Sequence, residues 1–92
     1  MPLVEDIIDY ESGKLSRRKY LKLFQGLVFS GQAWRLQGSY GREAMGLLEA
    51  GLINPPRKLQ RDFYGNIIRY PKIPLKERRR RRREFLTEGE YI

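Results

Sequence analysis

Six consecutive guanidinium groups, Arg78, Arg79, Arg80, Arg81, Arg82 and Arg83, form the densest concentration of chemistry in this chain. Each can fork its N–H groups onto phosphate or carboxylate oxygens, and six together set up a strong positive field. If all six contacted duplex DNA, the binding constant would fall with salt at a log–log slope of about −5. On RNA, guanidinium planes can also stack on splayed bases. Five further cations, Arg57, Lys58, Arg61, Arg69 and Lys72, lie just upstream. Tyr64 and Tyr70 are interleaved with them, so base stacking and ordinary edge packing are both open for these rings. The same charge also suits an acidic protein surface, or a tail that is merely solvated.

What is missing narrows the chemistry further. The chain holds no His and no Cys, which removes the commonest general base, the commonest metal ligand and the thiol nucleophile. Glu5, Asp6, Asp9 and Glu11 are close in sequence, yet no other ligand cluster accompanies them. A solvated acidic face is the plain reading, with docking onto the arginine run, within or between chains, as the alternative. No cofactor or metal is implied, and the expectation is a binding protein rather than an enzyme.

A second candidate anion site is Gly38-Ser39-Tyr40-Gly41-Arg42. At the start of a helix its free N–H groups and Arg42 could hold a phosphate. The helices on either side of Trp34 could also form a helix-turn-helix. Against that, the link between them exceeds the usual three or four residues, and Glu43, Gly46 and Glu49 are poor base readers. Gly41 reads more readily as a close-packing position and Tyr40 as a core edge. Trp34, Phe24 and Phe29 could stack single-stranded bases, but at helical spacing they read as core.

The elements that must position these groups follow from periodicity. Residues 3–11 read as a short helix, opened by Pro2 and stopped by Gly13, with Val4, Ile7, Ile8 and Glu11 on one side. Residues 17–29 form the clearest amphipathic helix: Tyr20, Phe24, Leu27 and Val28 recur on one face, Ser16 is the N-cap and Gly31 the C-cap. Trp34 and Leu36 are expected to be buried in residues 32–37. Ser39 caps a third helix at 40–50, with Ala44, Met45, Leu47 and Leu48 inward. Gly51 ends it, and Leu52 and Ile53 fold back onto the core. Asn54-Pro55-Pro56 closes this compact part. Residues 57–73 carry turn chemistry at Gly65-Asn66 between strand formers, which predicts a β-hairpin or an extended arm limited by Pro71 and Pro74. Residues 75–87 could be helical, with Glu77–Arg81 and Arg80–Glu84 pairs. They have few apolar residues, so their helix is expected to form or stabilise on binding.

Ninety-two residues allow one modest core. The parts are a compact helical unit at 1–54, a hairpin or arm at 55–74, and an arginine-rich helix or tail at 75–92. Charge follows this division: net +1 over residues 1–54 and +7 over 55–92, giving the total of +8. The N-terminus does not read as a signal peptide, and no apolar run approaches the roughly 20 residues that span a bilayer.

Tyr10-Glu11-Ser12-Gly13-Lys14-Leu15, Leu23-Phe24-Gln25 and Ala33-Trp34-Arg35-Leu36-Gln37-Gly38-Ser39-Tyr40-Gly41-Arg42 resemble blocks of a family of small uncharacterised tailed-bacteriophage proteins. Those blocks read YExGxL, LFQ and AWxLQGxYGRxA. The resemblance covers residues 7–53 and implies a phage or prophage origin, with no activity attached. The expectation is therefore a mainly α accessory or virion-associated protein in the host cytoplasm or the virion. It would bind DNA or RNA through the phosphate backbone. The competing expectation is an inhibitor or scaffold that binds an acidic surface of a host or viral protein.

Overall fold

The computed structural model describes residues 4–36, 38–62 and 64–90, apart from the side chain of Val4. Pro2, Leu3, Gln37 and Phe63, which entered the sequence reading, lie outside the described residues. The protein is mainly helical, with α1 (Val4–Glu11), α2 (Arg17–Ser30), a 3-10 turn at Gln32–Trp34, α3 (Gly38–Glu49) and α4 (Leu75–Glu88).

The middle of the fold is α2, and its ends are set as its sequence predicts. Ser16 is extended, and its hydroxyl accepts the Lys19 N–H at 3.3 Å; such a cap contributes about 1 kcal/mol. At the other end Gly31 turns left-handed with φ 82°, and its N–H donates to the Val28 carbonyl. Between them, Tyr20, Leu21, Leu23, Phe24, Leu27 and Val28 are buried. Fully burying a Leu, Val or Phe side chain is worth roughly 1.5–3 kcal/mol, so this face dominates the core. Ala33 and Trp34 join it from the 3-10 turn, Tyr40, Ala44, Leu47 and Leu48 from α3, and Ile53 from the chain that folds back after it.

An aromatic cluster seals α1 to this core. Tyr10 packs edge-on to Phe24 with centroids 5.2 Å apart and lies 5.7 Å from Tyr40. The Tyr20 hydroxyl donates to Glu43, and the Tyr40 hydroxyl donates to Glu11 Oε1 at 2.6 Å. Burial, reinforced by the Glu43 bond, pushes the Tyr20 hydroxyl well above its ordinary range. Burial and then Glu11 push Tyr40 up to about 12. Two carboxylates of the sequence thus serve the core edge.

Several expectations need correction. Ile7 packs on the core, but Ile8 is 56% exposed; an eight-residue helix packed along one side buries a narrow stripe. Leu36 is exposed rather than buried, because the 3-10 turn aims only Ala33 and Trp34 inward. Phe29, grouped above with Phe24 and Trp34 as core, is 53% exposed at the end of α2. Helix α3 begins at Gly38, which puts Ser39 in its first turn instead of at its cap.

The β-hairpin is absent: among the described residues there is no strand, only a single antiparallel bridge between Arg61 and Ile67. The Asp62 carboxylate accepts the Tyr64 and Asn66 N–H groups, both at 2.9 Å, and Gly65 takes φ 84°. A side chain that captures amides in this way competes with a ladder, and Pro71 and Pro74 cannot extend one. What holds this arm is Gln60. Its Oε1 accepts from Trp34 Nε1 at 2.7 Å and from the Tyr70 hydroxyl at 2.8 Å, while its Nε2 donates to the Val28 carbonyl at 2.9 Å.

Candidate nucleic-acid interface

Helix α4 divides the six arginines into two populations. Three turn toward the protein. Arg78 donates from Nη1 to Asn54 Oδ1 at 2.5 Å and from Nε to the Ile73 carbonyl at 3.0 Å. Arg82 donates to the same Asn54 oxygen and to the Leu52 carbonyl, each at 3.2 Å. Arg81 reaches the Ala50 carbonyl at 3.2 Å and Glu77 at 3.0 Å. The carbonyls of Ala50 and Leu52 leave the C-terminal end of α3, where backbone acceptors lack intrahelical partners and the dipole favours cations. Asn54 is itself pinned, since its N–H and C=O exchange hydrogen bonds with the Gln25 amide at 2.7 and 2.8 Å.

A fourth arginine from outside the run completes the attachment. Arg17 at the start of α2 donates to the Phe85 carbonyl at 2.9 Å, pairs with Glu88 at 3.4 Å and lies 4.6 Å over the Phe85 ring. Phe85 and Leu86 pack on the core. The segment expected to gain its helix from a bound partner therefore has partners within the chain. Its few apolar residues are supplemented by guanidiniums acting as structural donors.

The remaining arginines face outward. Arg80 pairs with Glu77 and with Glu84, the latter at 3.0 Å, and Glu77 also pairs with Arg81. The Glu77–Arg81 and Arg80–Glu84 pairs are those the spacing predicts. Arg80 and Arg81 hold the Glu77 carboxyl below the usual carboxylate range. Arg79 and Arg83 are exposed, with no hydrogen bond or ion pair among the described residues. Lys76 is exposed on the same outer side, three and seven positions from them on the helix.

Two cations that sequence reasoning left out belong beside them. Arg18 and Lys22 of α2 line a cleft of about 190 Å³ together with Arg82 and Leu86. Arg79 and Arg83 are three positions before Arg82 and Leu86, respectively, along α4, and Arg82 and Leu86 line that cleft. The i, i+4 spacing of Arg18 and Lys22 on the polar side of α2 was the available signal. Nothing local in the sequence marked Asn54 or Arg17 as attachment points.

The other predicted site residues are dispersed. Arg57 and Lys58 rim a different groove, beside Phe29, Leu59 and Leu75. Arg61 donates to the Gly65 carbonyl at 2.9 Å, and Arg69 and Lys72 are exposed along the arm. Arg42 is exposed on α3 in a shallow depression with Ser39, Glu43 and Gly46. Of the two tyrosines considered for stacking, Tyr64 is 85% exposed at the loop tip. Tyr70 is spent on Gln60 and on Trp34, 6.3 Å away between ring centroids. Glu5, Asp6 and Asp9 form no ion pair with the arginine run among the described residues. No group of side chains suited to holding a metal ion occurs there, and no helix is long and apolar enough to cross a membrane.

Fold and site together define a small, mainly helical protein whose basic last helix is latched to the end of α3 and presents cations that are unpaired among the described residues. The chain belongs to the family of the domain of unknown function DUF7417, whose model matches residues 1–65. That match ends before α4 begins, so Lys76, Arg79 and Arg83 lie outside it while Arg18 and Lys22 lie within it. No curated protein and no solved structure matches the chain significantly.

Proposed function

We propose that the protein binds nucleic acid through the phosphate backbone, with Lys76, Arg79 and Arg83 of α4 and Arg18 and Lys22 of α2 as the principal contacts. The observation that carries this reading is the split of the arginine run: the inward guanidiniums are used by the protein, while Arg79 and Arg83 make no hydrogen bond or ion pair among the described residues. A rigid strip of cations neutralises phosphates without paying the ordering cost of a disordered tail. Arg80, tied to two carboxylates, contributes less. Arg42, Arg57, Lys58, Arg61, Arg69 and Lys72 add to the general field rather than to one footprint. The outward residues of α3 offer little for reading bases, and among the described residues no strand forms a wing to support a helix-turn-helix. Sequence preference is therefore weak. The bacteriophage resemblance makes an accessory or virion-associated role in the host cytoplasm or the particle the fitting context.

The test is a fluorescence titration of the full chain against duplex DNA, single-stranded DNA and structured RNA at two salt concentrations. Tight binding that weakens steeply with salt is expected, and the ranking of the three names the natural ligand. Weak binding to all three near physiological salt would refute the reading.

A further inference from the structure

The groove rimmed by Arg57 and Lys58 shares no residue with the cation strip. It lies between the end of α2, the chain after Asn54 and the first turn of α4, with a volume of about 890 Å³. Three of the molecule's exposed large hydrophobic residues meet there: Phe29 at 53%, Leu59 at 67% and Leu75 at 45% exposure. Single exposed hydrophobic residues are ordinary, but several in one concave, cation-rimmed surface mark an interaction site. No acidic residue lines the groove. Of its cations, Arg78 is held by Asn54 and Ile73, whereas Arg57 and Lys58 are exposed without partners among the described residues.

We propose that this groove docks an acidic amphipathic helix of a partner protein, with its apolar side chains on Phe29, Leu59 and Leu75 and its carboxylates on Arg57 and Lys58. Charge complementarity selects the sign of the partner, and the lining selects its class. Leu59, Leu75, Pro55 and Pro56 offer aliphatic surface with a single aromatic ring, which suits Leu or Ile anchors better than stacked bases. A partner helix presents such anchors at i, i+4 and i+7 along one face. The protein's own α1 in a second copy is acidic, but Ile7 and Tyr10 are used in its own core. That leaves Ile8 as its exposed apolar side chain among those described in α1, which is too little to fill the groove.

The probe is a fluorescent helical peptide with Leu at i, i+4 and i+7 and Glu elsewhere, titrated against the full chain. Two control peptides carry Lys in place of Glu, or Ser in place of Leu. Saturable binding of the Leu/Glu peptide is expected, with both controls about tenfold weaker or more. Leu59→Ser and Phe29→Ser, both at exposed positions, should weaken it to a similar degree. Arg57→Ser with Lys58→Ser should weaken it and flatten its salt dependence. Arg79→Ser with Arg83→Ser should leave it unchanged while reducing nucleic-acid binding, so the two surfaces fail or succeed separately. The proposal falls if the folded protein does not bind the Leu/Glu peptide, if the Lys control binds equally, or if Leu59→Ser has no effect. It falls equally if sedimentation shows self-association that Leu59→Ser and Ile8→Ser each dissolve, because the occupant is then a second copy. Loss of nucleic-acid binding in the groove variants, with peptide binding intact, would assign the groove to nucleic acid instead.

Discussion

Neighbouring arginines in one uninterrupted run should behave in opposite ways, and Arg82→Ser against Arg83→Ser is the sharpest pair. Arg82 makes two charge-assisted hydrogen bonds, to the Leu52 carbonyl and to Asn54 Oδ1, each at 3.2 Å. Such bonds are worth roughly 1.5–3 kcal/mol each when well formed and buried. These are at the long end of the normal range and partly exposed, which reduces the pair to about 1–2 kcal/mol in total. For a domain of this size that is a fall in Tm of roughly 4–16 °C. Arg83 makes no hydrogen bond or ion pair among the described residues, so its replacement should change stability by less than about 0.5 kcal/mol. It should instead lower the salt slope of nucleic-acid binding by about 0.9, and shrink the affinity lost between about 50 and 200 mM salt by about 3.5-fold. Thermal denaturation and a salt series of anisotropy titrations, run on both variants, read the two effects independently. If both substitutions flatten the slope equally and neither moves Tm, α4 is a free tail and the division of its arginines is wrong.

Other perturbations test other joints. Gln60→Ala removes the acceptor shared by Trp34 and Tyr70, and should cost about 1–3 kcal/mol. Because Trp34 is the chain's sole tryptophan, its emission should shift to the red as the arm loosens; an unchanged spectrum would count against this attachment. Gly51→Ala meets a left-handed backbone at φ 75° and places a Cβ 3.2 Å from Arg81 Cδ. A loss of about 1–2 kcal/mol is expected in chemical denaturation, and more if α4 is displaced. The raised Tyr40 hydroxyl stabilises the fold fully below its unfolded value near 10 and loses that contribution as pH rises through about 12. Alkaline unfolding, followed with tyrosinate absorbance, should therefore be less steep in that window for Tyr40→Phe than for the unaltered chain.

What could be read from the sequence was mostly local. Ser16 and Gly31 delimit α2 because cap chemistry depends on neighbours three or four residues away. The core face of α2 follows from its spacing. The hairpin expected for the arm is absent among the described residues; turn residues and strand formers do not reveal that the Asp62 carboxylate takes the amides a ladder would need, or that the Gln60 side chain replaces a ladder as the anchor. The site was half legible. A run of six arginines announces charge, but which of them are consumed depends on Asn54, Ala50 and Leu52, some 24–31 positions earlier. No periodicity in residues 75–88 encodes that. Arg18 and Lys22 became relevant only when α4 was placed beside α2.

The ties that fasten α4 also impose an order of assembly. Its anchors lie in segments that leave the ribosome well before it: Asn54 precedes Arg78 by 24 residues, and Arg17 precedes Phe85 by 68. A nascent chain can bury the faces of α2 and α3 while the carbonyls of Ala50 and Leu52 still face water. Closing such long loops comes late, after the local helices have formed. Until that closure, Arg78 and Arg82 lack their Asn54 and Leu52 acceptors while Arg80 keeps its local Glu77 and Glu84 partners, so the undocked helix offers more uncommitted guanidiniums than the finished protein.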